Sequence, residues 1–111
     1  MTQRNTKSGL QISSIQLSPE QLRTIEEMAG VCFTPQDIAI VIGIDWETAK
    51  QEFKNKKSDF YLSYKRGELV HMLNVRKSIY DLAKGGSSAS QTEFLKLRKE
   101  ADTFINKQNI S

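Results

Sequence analysis

Apolar residues recur at three- and four-residue steps through most of this chain, the period of amphipathic helices, and the pattern predicts five of them. Leu22, Ile25, Met28 and Ala29 form the inward face of the first. That helix opens at Ser18-Pro19-Glu20-Gln21, with Ser18 as N-cap, Pro19 at the first position and Gln21 where a capping box places its reciprocal partner. Leu17 and Leu22 have the spacing of a hydrophobic staple. The helix is expected to run to about Ala29 and stop at Gly30, with Val31-Cys32-Phe33 leading onward. Residues 1–17 precede it as a polar tail without helical period, expected to be flexible.

The next block, Thr34 to Phe53, reads as two short helices joined by a tight turn at Gly43, the spacing of a helix-turn-helix. Thr34 caps the first, Pro35 suits its opening position, and Asp37 falls at the capping-box position. Ala39 is small enough to let the two helices cross closely, Gly43 supplies the backbone freedom of the turn, and Asp45 caps the second helix. Ile38, Ile42, Ile44, Ala49 and Phe53 form the expected buried side. The β-branched run Ile38 to Ile42 alone would also suit a buried strand, but a strand leaves both caps unexplained. In such a unit the second helix enters the major groove of DNA.

Ser58 and Asp59 open a fourth helix, expected to continue to about Lys84. Tyr61, Tyr64, Glu68, Met72, Val75, Ile79 and Leu82 follow alternating steps, and Leu62, Leu69, Leu73 and Tyr80 widen the stripe. So broad an apolar face requires more than one partner. Gly67 inside this helix costs about 1 kcal/mol relative to Ala, a loss that a close helix crossing would offset. Gly85-Gly86-Ser87-Ser88 reads as a C-cap followed by an N-cap, Ser88 with Gln91, rather than as a phosphate loop. A fifth helix carries Phe94, Leu97, Ala101 and Phe104, with Leu95 and Ile105 alongside, and frays from Asn106. The expected fold is therefore all-α: a helix-turn-helix unit over 18–57, then an antiparallel helical hairpin over 58–111 used for oligomerisation.

Charge changes this picture more than composition does. The chain of 111 residues has a net charge of +3. From Ser18 to Phe53, however, Arg23 and Lys50 face seven acids (Glu20, Glu26, Glu27, Asp37, Asp45, Glu47 and Glu52), a net of −5 that leaves +8 to the remainder. An acidic helix-turn-helix is a poor polyanion binder by itself, because affinity for DNA comes from cations that neutralise phosphates. The candidate DNA-contacting residues are Trp46, Thr48, Lys50, Gln51 and Lys54 on the second helix of the motif, with Lys56 and Lys57 beyond it. Gln51 can read adenine, and the lysines can hold phosphate. Trp46 suits a DNA contact or a protein contact equally, and Lys54 to Lys57 suit a solvated connector or a phosphate clamp. The candidate oligomerisation residues are Tyr64, Leu69, Met72, Leu73, Ile79, Phe94, Leu97 and Phe104.

No catalytic motif is present: one His, one Cys, and no HExxH, CxxC or Walker A pattern. His71 is expected to be a packing or interface residue, and Cys32 to lie in the core as a small hydrophobe. Neither a metal nor another cofactor is expected. With a single cysteine, no signal-peptide core behind Arg4 and Lys7, and no apolar run of spanning length, a soluble cytoplasmic protein is expected.

Three segments together carry a resemblance: Tyr64-Lys-Arg-Gly-Glu68, Val75-Arg-Lys-Ser-Ile-Tyr-Asp-Leu-Ala-Lys-Gly-Gly86 and Gln91-Thr-Glu-Phe-Leu-Lys-Leu97. Following a helix-turn-helix, this order resembles the small terminase subunits of tailed bacteriophages and prophages, over about residues 18–100. The resemblance implies a non-catalytic, ring-like homo-oligomer in the host bacterial cytoplasm. Such an oligomer recognises double-stranded viral DNA and regulates the large terminase subunit. It implies residues 45–54 as the recognition helix and 59–105 as the oligomerisation hairpin. The alternatives are a dimeric helix-turn-helix transcriptional regulator and an oligomeric scaffold that does not read DNA.

Overall fold

The computed structural model describes residues 15–109, and the tail expected over 1–17 lies mostly outside them. The described residues form an all-α protein: α1 (Pro19–Gly30), α2 (Pro35–Ile42), α3 (Trp46–Lys54), α4 (Asp59–Lys84) and α5 (Ser88–Gln108). The run Ile38 to Ile42 is helical, so the caps outweigh its β-branched composition. The chain divides into two compact units between His71 and Met72, with α4 contributing to both. No helix among the described residues is long and apolar enough to cross a membrane.

Local chemistry sets the helix starts of the first unit. The Ser18 capping box is complete, the Gln21 amide donating to Ser18 Oγ at 3.0 Å and the Ser18 amide to Gln21 Oε1 at 2.8 Å. The Gln21 side chain also donates to the Ile42 carbonyl at 2.9 Å, tying the start of α1 to the end of α2. Thr34 Oγ1 accepts from the Asp37 amide, and Asp45 Oδ2 from the Thr48 amide. Gly43 takes the left-handed conformation, φ 84°, in which Ala39 O accepts from the amides of both Gly43 and Ile44. A side chain at that φ would be strained. Ser58 opens α4: its buried Oγ donates to the Glu52 carbonyl at 2.6 Å and accepts from the Tyr61 amide at 3.1 Å.

The core of this unit is Leu17, Ile25, Ala29, Ile38, Ala39, Ala49 and Phe60. Ile42, Ile44, Trp46 and Tyr64 are partly buried against it. Phe60, Ile25 and Ile38 are its largest fully buried apolar side chains, and burial of each contributes about 1.5–3 kcal/mol. Gly67 of α4 meets α1 so closely that a Cβ there would collide with the Glu26 carbonyl oxygen and lie 3.0 Å from Ala29 Cβ. That is the close crossing its helix-interior position calls for. Arg66 and Glu26 pair across the same crossing at 2.8 Å.

Several expectations are corrected. Gly30 does not stop α1; it is the last helical residue, where a Cβ would sit 3.4 Å from the Gly67 carbonyl oxygen. The left-handed turn falls instead on Cys32, φ 73°, which is exposed rather than in the core. In that conformation the Cys32 amide still reaches the Ala29 carbonyl at 3.1 Å, satisfying one of the open carbonyls at the helix end.

In the second unit, α5 is capped by Ser87, not Ser88, with the Ser90 amide donating to Ser87 Oγ at 3.2 Å. Gly86, at φ 103°, makes the turn just before that cap. Gln91 does not complete a box; its side chain donates to the Ala83 carbonyl at 3.1 Å. The helix runs to Gln108, past Asn106, and Asn109 closes it at φ 59°. Tyr80 and Phe94 rings lie 5.3 Å apart, with the Lys84 ammonium 5.1 Å from the Tyr80 centroid.

Candidate nucleic-acid interface

The geometry of α3 follows from its cap. Asp45 accepts from both the amide and the hydroxyl of Thr48, the latter at 2.7 Å. Those bonds, the side-chain one first, lower the Asp45 carboxyl below its ordinary 3.8. A lowered folded-state pKa stabilises the protein above the ordinary carboxylate range, and that contribution is lost as pH falls through the folded value. Replacing Asp45 with Asn is therefore expected to flatten the fall in melting temperature below about pH 4. An unchanged acid profile would show that this cap carries no pH-dependent stability.

Glu47, Gln51 and Lys54 form the exposed stripe of α3, with Lys50 half-buried beside them. Trp46 packs partly against the core, and Thr48 is half-buried with its hydroxyl committed to Asp45. Glu52, counted among the acids of this unit, is buried at 7% exposure and lies off the outward face. The tight α3–α4 connection turns that flank of the helix inward, and Ser58 holds the Glu52 carbonyl there.

Positive charge therefore gathers at the C-terminal end of α3. Lys54 stands in its last turn, where a cation complements the helix dipole. Lys56 and Lys57 are exposed on a turn fixed by Asn55, whose Oδ1 accepts from the Lys57 amide at 3.0 Å and whose carbonyl accepts from the Ser58 amide at 2.9 Å. A fixed turn presents both ammoniums at lower entropic cost than a loose connector. The N-terminal end of α3, with Asp45 and Glu47, repels phosphate.

Four aromatic rings sit beside these lysines. Phe53 lies 6.1 Å from Phe60, 5.4 Å from Tyr61 and 5.1 Å from Tyr64, in edge or tilted arrangements. Tyr64 is drawn into this packing, its hydroxyl donating to the Phe33 carbonyl at 2.8 Å. Burial first, then the nearby Glu68 carboxylate, raises its phenol above the ordinary 10 and keeps it a neutral donor. Lys65 pairs with Glu68 at 3.1 Å, and that bond holds its ammonium charged. Sequence reasoning passed over Phe53, Tyr61 and Lys65 as site residues. The available signal was the interleaving of aromatic residues at 53, 60, 61 and 64 with lysines at 54, 56, 57 and 65.

The remaining candidates lie along α4 and α5. Leu69, Met72, Leu73 and Phe104 are exposed, while Ile79, Phe94 and Leu97 are half-buried. Among the described residues no cluster of three or more His, Cys, Asp or Glu side chains could hold a metal ion. Comparison with family models, curated proteins and solved structures finds no match for this chain.

Proposed function

We propose that the protein is a DNA-packaging subunit of the small terminase kind. In this reading it is a non-catalytic homo-oligomer that binds double-stranded DNA through a helix-turn-helix in α1–α3. It assembles through a hairpin of α4 and α5 and regulates a large terminase subunit. One observation carries the reading: none of residues 72–109 is buried in the single chain. Yet Leu73 is 51% exposed, Leu82 59%, Leu95 66% and Phe104 59%. A helical pair with no buried residue and this much exposed apolar surface calls for further copies to cover it. The Gly43 turn, which sets α3 against α2, supports the helix-turn-helix reading. The lysines at the end of α3 supply the phosphate contact that the acidic body lacks.

Several weak duplex contacts on one assembly multiply avidity, by ~10²–10⁴ where the geometry permits simultaneous contact. Duplex binding followed by fluorescence anisotropy at two salt concentrations tests this. The wild type is expected to bind at low salt and weaken steeply as salt rises. Replacing Lys54, Lys56 and Lys57 together with Ala should weaken binding to all sequences and flatten the slope by about three. Replacing Gln51 with Ala should alter sequence preference with the slope unchanged. A triple variant that binds like wild type would remove the lysine clamp from the account. The exposed Ile40 and Val41 on α2 favour the scaffold alternative, in which α1–α3 meet protein instead. Absence of duplex binding at low salt would select it.

A further inference from the structure

Beside the end of α3 the first unit holds an open groove of about 600 Å³, lined among others by Phe53, Lys54, Lys56, Tyr61, Lys65 and Glu68. Its floor is aromatic and fixed: Phe53 packs against Phe60, Tyr61 and Tyr64 in edge or tilted arrangements, and Tyr64 is tied to the Phe33 carbonyl. Its rim carries three ammonium groups against one carboxylate, and because Lys65 and Glu68 pair with each other, Lys54 and Lys56 carry its net positive charge. Lys54 and Lys56 come from a helix end and an ordered turn, so their spacing is set by the backbone.

We propose that this groove binds a short stretch of single-stranded nucleic acid, with a base on the face of Tyr61 and the flanking phosphates at Lys54 and Lys56. Half-buried rings beside clustered cations are the arrangement that holds unpaired strands, since every base has a face to stack and every linkage a charge to neutralise. Bases inside a duplex are stacked on one another and cannot reach the ring, so the occupant is unpaired. An acidic peptide suits the groove less well. The rings pack against one another in edge or tilted arrangements, and the groove beside them is open rather than a closed hole for an inserted side chain. The groove shares Lys54 and Lys56 with the lysine clamp that would hold a duplex, whereas Tyr61 belongs to the groove alone. It rests on the nucleic-acid reading above to that extent.

The test uses the full chain and a fluorescein-labelled oligothymidylate of roughly a dozen nucleotides, alongside a duplex. Tyr61→Leu is expected to weaken single-strand binding by about 5- to 150-fold, the stacking of one base, and to leave duplex affinity within about twofold. Irradiating wild type with the same oligomer carrying 5-iodouracil should crosslink the peptide containing Tyr61, a readout independent of how the variant folds. Unchanged single-strand affinity in Tyr61→Leu, equal loss for both ligands, or crosslinks confined to other peptides would each overturn the proposal. So would displacement of the oligomer by an acidic aromatic peptide at equal strength. If single strands bind at Tyr61 while duplex does not bind, the groove stands and the packaging reading falls. If duplex binds and single strands do not, the reverse holds.

Discussion

Replacing Gly67 with Ala is expected to destabilise the protein by about 2–3 kcal/mol, whereas the same change at Gly30 should be neutral or stabilising by up to about 1 kcal/mol. Both glycines lie at the crossing of α1 and α4, but they differ in the space beside them. A methyl group at Gly67 would run into the Glu26 carbonyl, lie 2.9 Å from its carbon and 3.0 Å from Ala29 Cβ. These are atoms of a helix that can yield only by moving as a body. The gain in helix propensity, about 1 kcal/mol, is too small to compensate. At Gly30 the nearest atom is the Gly67 carbonyl oxygen at 3.4 Å, close to ordinary contact, and φ is not positive. Thermal or urea denaturation of the two variants checks this. A Gly67→Ala protein as stable as wild type would mean that the crossing is looser than the structure has it.

Leu73→Asp should dissociate the proposed assembly while leaving the first unit folded. Leu73 is half exposed in the single chain and takes no part in the core around Ile25, Ile38 and Phe60. The isolated chain therefore loses little, but an apolar contact between copies would have to hold an unpaired carboxylate. A weakening of at least a hundredfold, roughly 3 kcal/mol, is expected in the association constant. Trp46 packs against the first unit's core, so its fluorescence reports whether that unit survives. Leu97→Asp is a less clean probe because Leu97 is already half-buried within its own unit. An assembly unchanged by Leu73→Asp would exclude this face of α4 from the contact.

The starts of α1, α2 and α3 were legible in the sequence because a cap is a local contact between a side chain and the amides two or three residues on. Ser18 with Gln21, Thr34 and Asp45 all bond as their types and spacing require. Gly43 was legible for the same reason, and Gly67 because an otherwise unfavourable residue implied a compensating contact. Helix ends were harder. Gly30 stays helical beside the Gly67 crossing, a partner 37 residues away that no local pattern shows, and the left-handed turn falls two residues later, on Cys32. Ser87 and Ser88 are chemically equal, and the φ of Gly86 decides between them. Glu52 and the aromatic groove were hidden by tertiary packing. Phe53 reads as ordinary core until α4 brings Tyr61 and Tyr64 against it. Charge position, in contrast, was plain: the acidic body and the lysines that follow it can be counted in the chain.

The mass of the wild-type chain in solution, measured by light scattering at micromolar concentration, tests the central claim most directly. Exposed apolar surface along residues 72–109 predicts an assembly larger than two 12.6 kDa chains. A single species of one 12.6 kDa chain, or of two, would contradict it.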